Sequence, residues 1–241
     1  MKINSIFIAL IALSVLFTSC KKNDDVTPSN QVTTIDKTIT GYTQLNVSDP
    51  FKVYVTFSDV EEKIQVEANA NLHQYIRVEK QNNQLVIYLA NNINISGSSV
   101  LNVYVSTKHL DAFYAAGASK IQLENELNAN EVKVKLAGAC TFSGSLYVDL
   151  LDADLDGASN MNISGSSNSF EIDATGASNM MDYGFETNNF NCDLEGGCNA
   201  HLTVKQTLTV KANGASNVYY KGDGVVGSQH LNGGSSIQKM Q

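Results

Sequence analysis

The sequence predicts an all-β chain, a single-chain parallel β-helix or solenoid with about 19–20 residues per repeat behind an N-terminal β-rich cap. Two observations carry this prediction. A short Gly-centred motif recurs at nearly constant spacing through the second half of the chain, and the residues around each glycine alternate between apolar and polar. Composition agrees, with 17 Gly, only 2 Pro and 43% hydrophobic residues in 241. A chain of that length buries a core without disulfide staples.

The motif is Ala116-Gly117-Ala118-Ser119, then Ala137-Gly138-Ala139-Cys140, and it returns at Gly157, Gly176, Gly196, Gly214 and Gly233. Successive leading glycines are 21, 19, 19, 20, 18 and 19 residues apart. Alignment on them makes columns. Four residues before the glycine stand Phe113, Val134, Ala153, Ile172, Cys192 and Val210; two before stand Ala115, Leu136, Leu155, Ala174, Leu194 and Ala212; four after stand Ile121, Phe142, Met161, Met180, Ala200, Val218 and Ile237. Alternation on both sides of a glycine is the pattern of two half-buried strands hinged there. One such unit cannot bury its apolar face, whereas stacking like columns rung over rung makes a continuous interior. Seven hinges then span roughly 29 Å at the spacing of paired strands. The Ser or Cys that follows keeps the corner narrow, and Asn160, Asn179, Asn199 and Asn217 beside it form a ladder of amides along the edge.

Residues 39–110 are strand-rich without the hinge. Phe51–Phe57, Ile64–Ala68, Gln84–Leu89 and Val100–Val105 mostly alternate, and Asn71–Ile76 reads as a short helical turn. This part caps the solenoid or continues it as a further β layer. The solenoid itself is assigned to residues 111–241.

Near the start stand Lys2, an apolar run from Ile6 to Phe17 and small residues before Cys20, which is a secretory signal pattern too short to span a membrane. Leu16-Phe17-Thr18-Ser19-Cys20 resembles the lipobox of bacterial lipoproteins. That resemblance implies cleavage of residues 1–19, lipidation of Cys20, a tether over residues 20–38 and anchoring in the outer membrane. The acidic run Lys21-Lys22-Asn23-Asp24-Asp25 resembles a signal that sends some lipoproteins to the cell surface; the alternative is the periplasmic face.

Formal charge is −8 with 16 Lys and Arg against 24 Asp and Glu, and −9 once Lys2 leaves with the signal. There is no basic surplus to neutralise phosphates, so a nucleic-acid partner is not expected. Beyond Cys20 three cysteines remain. Cys192 falls in an inward column as a small core residue, and Cys140 and Cys198 lie three rungs, roughly 14 Å, apart, which is outside disulfide reach.

Taken together, the lipoprotein start, the strand around Phe51–Val55, the segment Leu110–Ser119 and the later Gly-Ala-Ser repeats resemble the DUF2807 family of auto-transporter adhesin head GIN domains. The likeness covers roughly residues 42–225. It implies a β-solenoid, an envelope location in Bacteroidetes-like bacteria and an adhesion role, and it brings no catalytic motif to transfer.

The residues themselves offer one suggestive constellation. Outward columns hold Lys135, Asp154, Asp173, Asp193 and Lys211 in one row, and Lys133, Asp152, Glu171 and Asn191 in the next. Carboxylates one rung apart repel unless screened, protonated or bridged by a cation. Three readings stand: a solvated acidic face, a weak calcium site on Asp152, Asp154, Glu171, Asp173 and Asp193, or a polysaccharide-processing centre. Against the enzyme, Arg77 is the sole arginine, the histidines are scattered, no hydrolase or phosphate-loop motif appears, and an acidic face repels polyanions. The expectation is a non-catalytic module without cofactor that binds a glycan or surface protein, with Tyr104, Tyr114, Tyr147, Tyr183, Tyr219 and Tyr220 as aromatic surface or core. The alternative is a structural envelope spacer.

Overall fold

The computed structural model of the chain describes residues 24–90 and 93–241. The signal segment and Cys20 lie outside the described residues. The first part supplies β1 (Asp24–Val26), β2 (Val32–Lys37), β3 (Gln44–Val47), β4 (Lys52–Phe57), β5 (Lys63–Asn69), β6 (Ile76–Gln81), β7 (Gln84–Leu89), β8 (Ile93–Ile95) and β9 (Leu101–Thr107), with a 3₁₀ turn at Ala70–Leu72. The repeats supply β10 (Ala112–Gly117), β11 (Lys120–Leu123), β12 (Leu127–Gly138), β13 (Thr141–Gly157), β14 (Asn160–Gly176), β15 (Asn179–Gly196), β16 (Asn199–Gly214), β17 (Asn217–Lys221), β18 (Val225–Leu231) and β19 (Ser236–Lys239).

From β12 to β16 each strand pairs in parallel with the next, and the hinge glycines are themselves in register: Gly138 opposite Gly157, Gly176 opposite Gly196, Gly196 opposite Gly214. The column Phe113, Val134, Ala153, Ile172, Cys192, Val210 is a row of direct cross-strand partners. All six are buried, as are Ile121, Phe142, Met161, Met180, Ala200 and Val218 on the other side of the hinge. The parallel β-solenoid read from the sequence is the fold.

The hinge needs glycine for two reasons. Gly176 has φ +77, and a Cβ on it would lie 2.4 Å from the carbonyl oxygen of Gly157. That oxygen accepts the Ala177 N–H at 2.7 Å, so the corner of one rung is sealed onto the next by a backbone bond that a side chain would invade. Behind the glycine, Ser119, Ser159, Ser178 and Ser216 are fully buried, and three of them donate Oγ to a carbonyl three residues back: Ser119 to Ala116 at 2.7 Å, Ser159 to Asp156 at 2.9 Å, Ser216 to Asn213 at 3.1 Å. Cys140 and Cys198 place Sγ on the same carbonyl at 3.4 and 3.5 Å. The column therefore accepts any small side chain with a donor, which is why cysteine replaces serine there. Of the asparagine ladder, Asn199 donates to Asn179 at 2.9 Å and Asn217 to Asn199 at 3.2 Å.

Two features differ from the two-strand repeat. Between corners the chain runs as one bent strand, as in β13 and β14 of 17 residues each, and the strand breaks at Gly-Ala-Ser instead. The bend inside β14 has its own glycine, Gly165 with φ +106, where a Cβ would meet the Leu146 carbonyl oxygen at 2.0 Å.

Residues 39–90 and 93–110 stack on the same walls. β3 pairs in parallel with β10 and β4 with β11, so residues 44–57 form a rung whose corner is Asp49, at φ +65, in place of glycine. Ser119 Oγ donates to the Asp49 carbonyl at 2.6 Å across that corner. β7 and β9 continue the two walls in parallel beyond β3 and β4. Antiparallel strands then finish them: β6 on β7, and β5 with β2 on β9. The stretch 20–38, read above as a tether, carries β1 paired with β8 and β2 paired with β5.

Candidate binding surface

The acidic stripe lies on consecutive strands in the register the repeat implies. Lys133, Asp152, Glu171 and Asn191 are direct neighbours on β12, β13, β14 and β15, as are Lys135, Asp154, Asp173 and Asp193, with Lys211 of β16 closing the second row. The lysines neutralise their neighbours. Lys133 Nζ is 2.8 Å from Asp152, Lys211 Nζ is 2.6 Å from Asp193, and Lys135 pairs with Asp154. Hydrogen bonding to these carboxylates holds all three ammonium pKa values above the usual lysine range. Asp173 stands between two such pairs. Its pKa is raised, first by desolvation and then by Asp193, Asp154 and Asp152, with Lys211 offsetting part of the effect. Among the described residues no three His, Cys, Asp or Glu side chains converge to hold a metal ion. Of the five carboxylates considered for calcium, Asp152, Asp154 and Asp193 are thus compensated by lysine, while Glu171 and Asp173 have no ion pair among the described residues.

The cysteines and histidines are placed by packing. Cys140, Cys192 and Cys198 are free and buried, and burial pushes the Cys192 thiol up to about 12. His73 Nε2 sits 3.0 Å from both Oγ1 and the carbonyl oxygen of Thr33, joining the 3₁₀ turn to β2. His201 lies between two tyrosines, with ring centroids 5.3 Å from Tyr183 and 4.7 Å from Tyr219, and burial lowers its pKa. The Lys221 ammonium lies 5.0 Å from the centroid of Tyr183. The rings of this column spend their faces on one another.

A different aromatic pair borders open space. Tyr54 on β4 and Tyr104 on β9 are cross-strand partners with centroids 5.2 Å apart and planes within 14° of parallel. Tyr104 remains 39% exposed, and its phenol donates to Glu67 at 3.0 Å. Beside them runs a groove of about 480 Å³ lined by Thr56, Glu61, Lys63, Gln65, Ser106 and Glu124. Tyr104 is among the tyrosines singled out in the sequence; Tyr54, Glu61 and Glu124 are not. The alternation of Phe51–Phe57 already turns Tyr54 outward, but nothing in the linear order brings β4 beside β9, where Tyr54 meets Tyr104, 50 residues further along the chain. Tyr114, Tyr183 and Tyr219 are half-buried, Tyr147 is exposed and Tyr220 is buried.

Comparison with known proteins agrees with this architecture. Residues 41–224 match a family model described as "Putative auto-transporter adhesin, head GIN domain". The chain is similar to the crystal structure of a putative adhesin from Bacteroides fragilis, with TM-score 0.80 at 16% identity over 89% of this chain and 100% of that one. It is also similar to a putative adhesin from Parabacteroides merdae, with TM-score 0.75 at 19% identity over 90% and 100%. A putative lipid binding protein from Parabacteroides distasonis has TM-score 0.74 at 16% identity over 90% and 100%. No curated protein matches the chain. At these identities the structures establish the fold, and the family match over residues 41–224 establishes membership: the chain belongs to the DUF2807 head GIN domain family.

Proposed function

We propose that the chain is a non-catalytic surface-binding module of the bacterial envelope, anchored through lipid on Cys20 in the outer membrane and displayed at the cell surface. The observation that carries this reading is the pair of parallel walls that run from β7 and β9 through to β18 and β19 and return to register at every corner. A solenoid of this kind is a rigid platform. Its outward rows repeat at the strand spacing and can meet an extended partner at several points at once. The adhesin description of the family and of the similar structures supports the same reading. The lipid-binding description of the Parabacteroides distasonis protein is less well matched by this chain, because the interior columns are filled by side chains such as Phe113, Phe142, Phe170 and Phe190, which occupy the volume an acyl chain would need.

The test is made on intact cells carrying the full chain or its Cys20→Ala variant. The wild-type chain is expected to be stripped by external protease and to raise adherence to host epithelial cells or matrix-coated surfaces. The Cys20→Ala variant should be released from the membrane fraction and lose that adherence. Surface display without any gain in adherence would favour a structural spacer.

A further inference from the structure

We propose that the groove beside Tyr54 and Tyr104 is a binding site for a neutral oligosaccharide; the inference rests on the surface-binding reading and names the ligand class. Two parallel rows build the site. Tyr54, Tyr104 and Gln65 are consecutive cross-strand partners on β4, β9 and β5, and Thr56, Ser106 and Lys63 form the adjacent outward row on the same strands. Glu124, whose N–H bonds the Val55 carbonyl at 2.8 Å, extends the site past β4. Four strand positions give a trough roughly 14 Å long, which suits two or three linked pyranose rings.

The chemistry of the lining points to sugar. A pyranose presents a C–H face and a rim of hydroxyls that both donate and accept. Tyr104 offers exposed ring surface for the first, and its phenol is pinned by Glu67, so the ring is already oriented. For the second, the carboxylates of Glu61 and Glu124, the Thr56 hydroxyl and the Tyr54 phenol have no hydrogen-bond partner among the described residues, so they are available to a ligand. Lys63 provides a donor and is held only loosely, 3.9 Å from Asp36. The balance of charge sets the class. Two carboxylates face one ammonium, so a uronic or sulfated chain would be repelled, while a neutral hydroxyl rim meets acceptors and donors alike.

The experiment measures binding of the full chain, purified in a detergent without sugar groups, to hexasaccharides of glucose, mannose, xylose and N-acetylglucosamine, with oligogalacturonate, heparin fragments and oligolysine as comparators. At least one neutral hexasaccharide is expected to bind. Tyr104→Ala and Glu124→Gln should each weaken it tenfold or more, whereas Tyr147→Ala, which alters an exposed tyrosine elsewhere, should leave it unchanged; melting curves check that all three variants fold. The proposal is overturned if no neutral sugar binds, if the groove variants bind as wild type, or if an acidic sugar or oligolysine is preferred. Groove variants are also taken into the cell-adherence assay. Adherence that persists in them, with sugar binding absent, would sink the groove and leave the surface-binding reading standing; wild-type cells that do not adhere would sink that reading while sugar binding still judges the groove.

Discussion

Glycine is the residue on which each rung depends, and the reason is local. At Gly176 a positive φ of +77 coincides with a neighbouring carbonyl 2.4 Å from where a Cβ would stand. Left-handed backbone alone costs a non-glycine residue about 1–3 kcal/mol, and relieving the contact would pull apart the Ala177-to-Gly157 bond that joins two rungs. Gly176→Ala is therefore expected to destabilise the chain by about 2 kcal/mol or more, a melting-temperature loss of about 4–8 °C at this size. Ala177→Gly, one residue on at an exposed position, should lose less than half as much. Equal melting of Gly176→Ala and wild type would show that the corner can relax. The serine beside the glycine obeys a weaker demand, for small volume and a donor, and this explains how Cys140 and Cys198 fit without distortion.

At the scale of the element, each strand carries one member of every outward row, so its charge is judged against its two neighbours. β13 and β15 bring Asp154 and Asp193 already paired with lysine, while β14 brings Asp173 with carboxylates on either side. A carboxyl with a raised folded pKa is destabilising when ionised. Its cost is absent below the unfolded value near 3.8 and complete above the raised folded value. Asp173→Asn should therefore be more stable than wild type at pH 7, by less than about 1 kcal/mol for so exposed a group. The advantage should vanish near pH 3.5. Urea midpoints at the two pH values decide it, and a loss of stability at pH 7 would mean that Asp173 makes a favourable contact as the anion. The row was legible from the repeat spacing, because alignment on glycine is alignment of strands. The groove row was not, since Tyr54 and Tyr104 lie on strands that no repeat relates.

For the whole molecule, stability is shared between neighbouring rungs, and this makes length adjustable. Thr141 pairs with Asn160 and Asn160 with Asn179, so removal of residues 160–178 would set β13 directly on β15 with the columns at the corner preserved and the one-residue bulge of β15 kept. That deletion should fold, keep its β-sheet spectrum and melt cooperatively at a lower temperature. Removal of residues 160–173, which takes out a fraction of a repeat, should abolish the cooperative melt. Equal behaviour of the two deletions would contradict a register held by the columns. The amino-acid sequence by itself determined the solenoid, its rung length, its inward columns and its acidic stripe, because each follows from local periodicity that stacking merely repeats. Only the tertiary structure decided the order of the first rungs. There β3 and β4 sit between β7 with β9 and β10 with β11, out of chain order, and antiparallel β2, β5 and β6 close the walls. These pairings join segments far apart in the chain with no shared motif to mark them, so the choice rests on which apolar faces fill one interior together, and the tyrosine groove is a product of that choice.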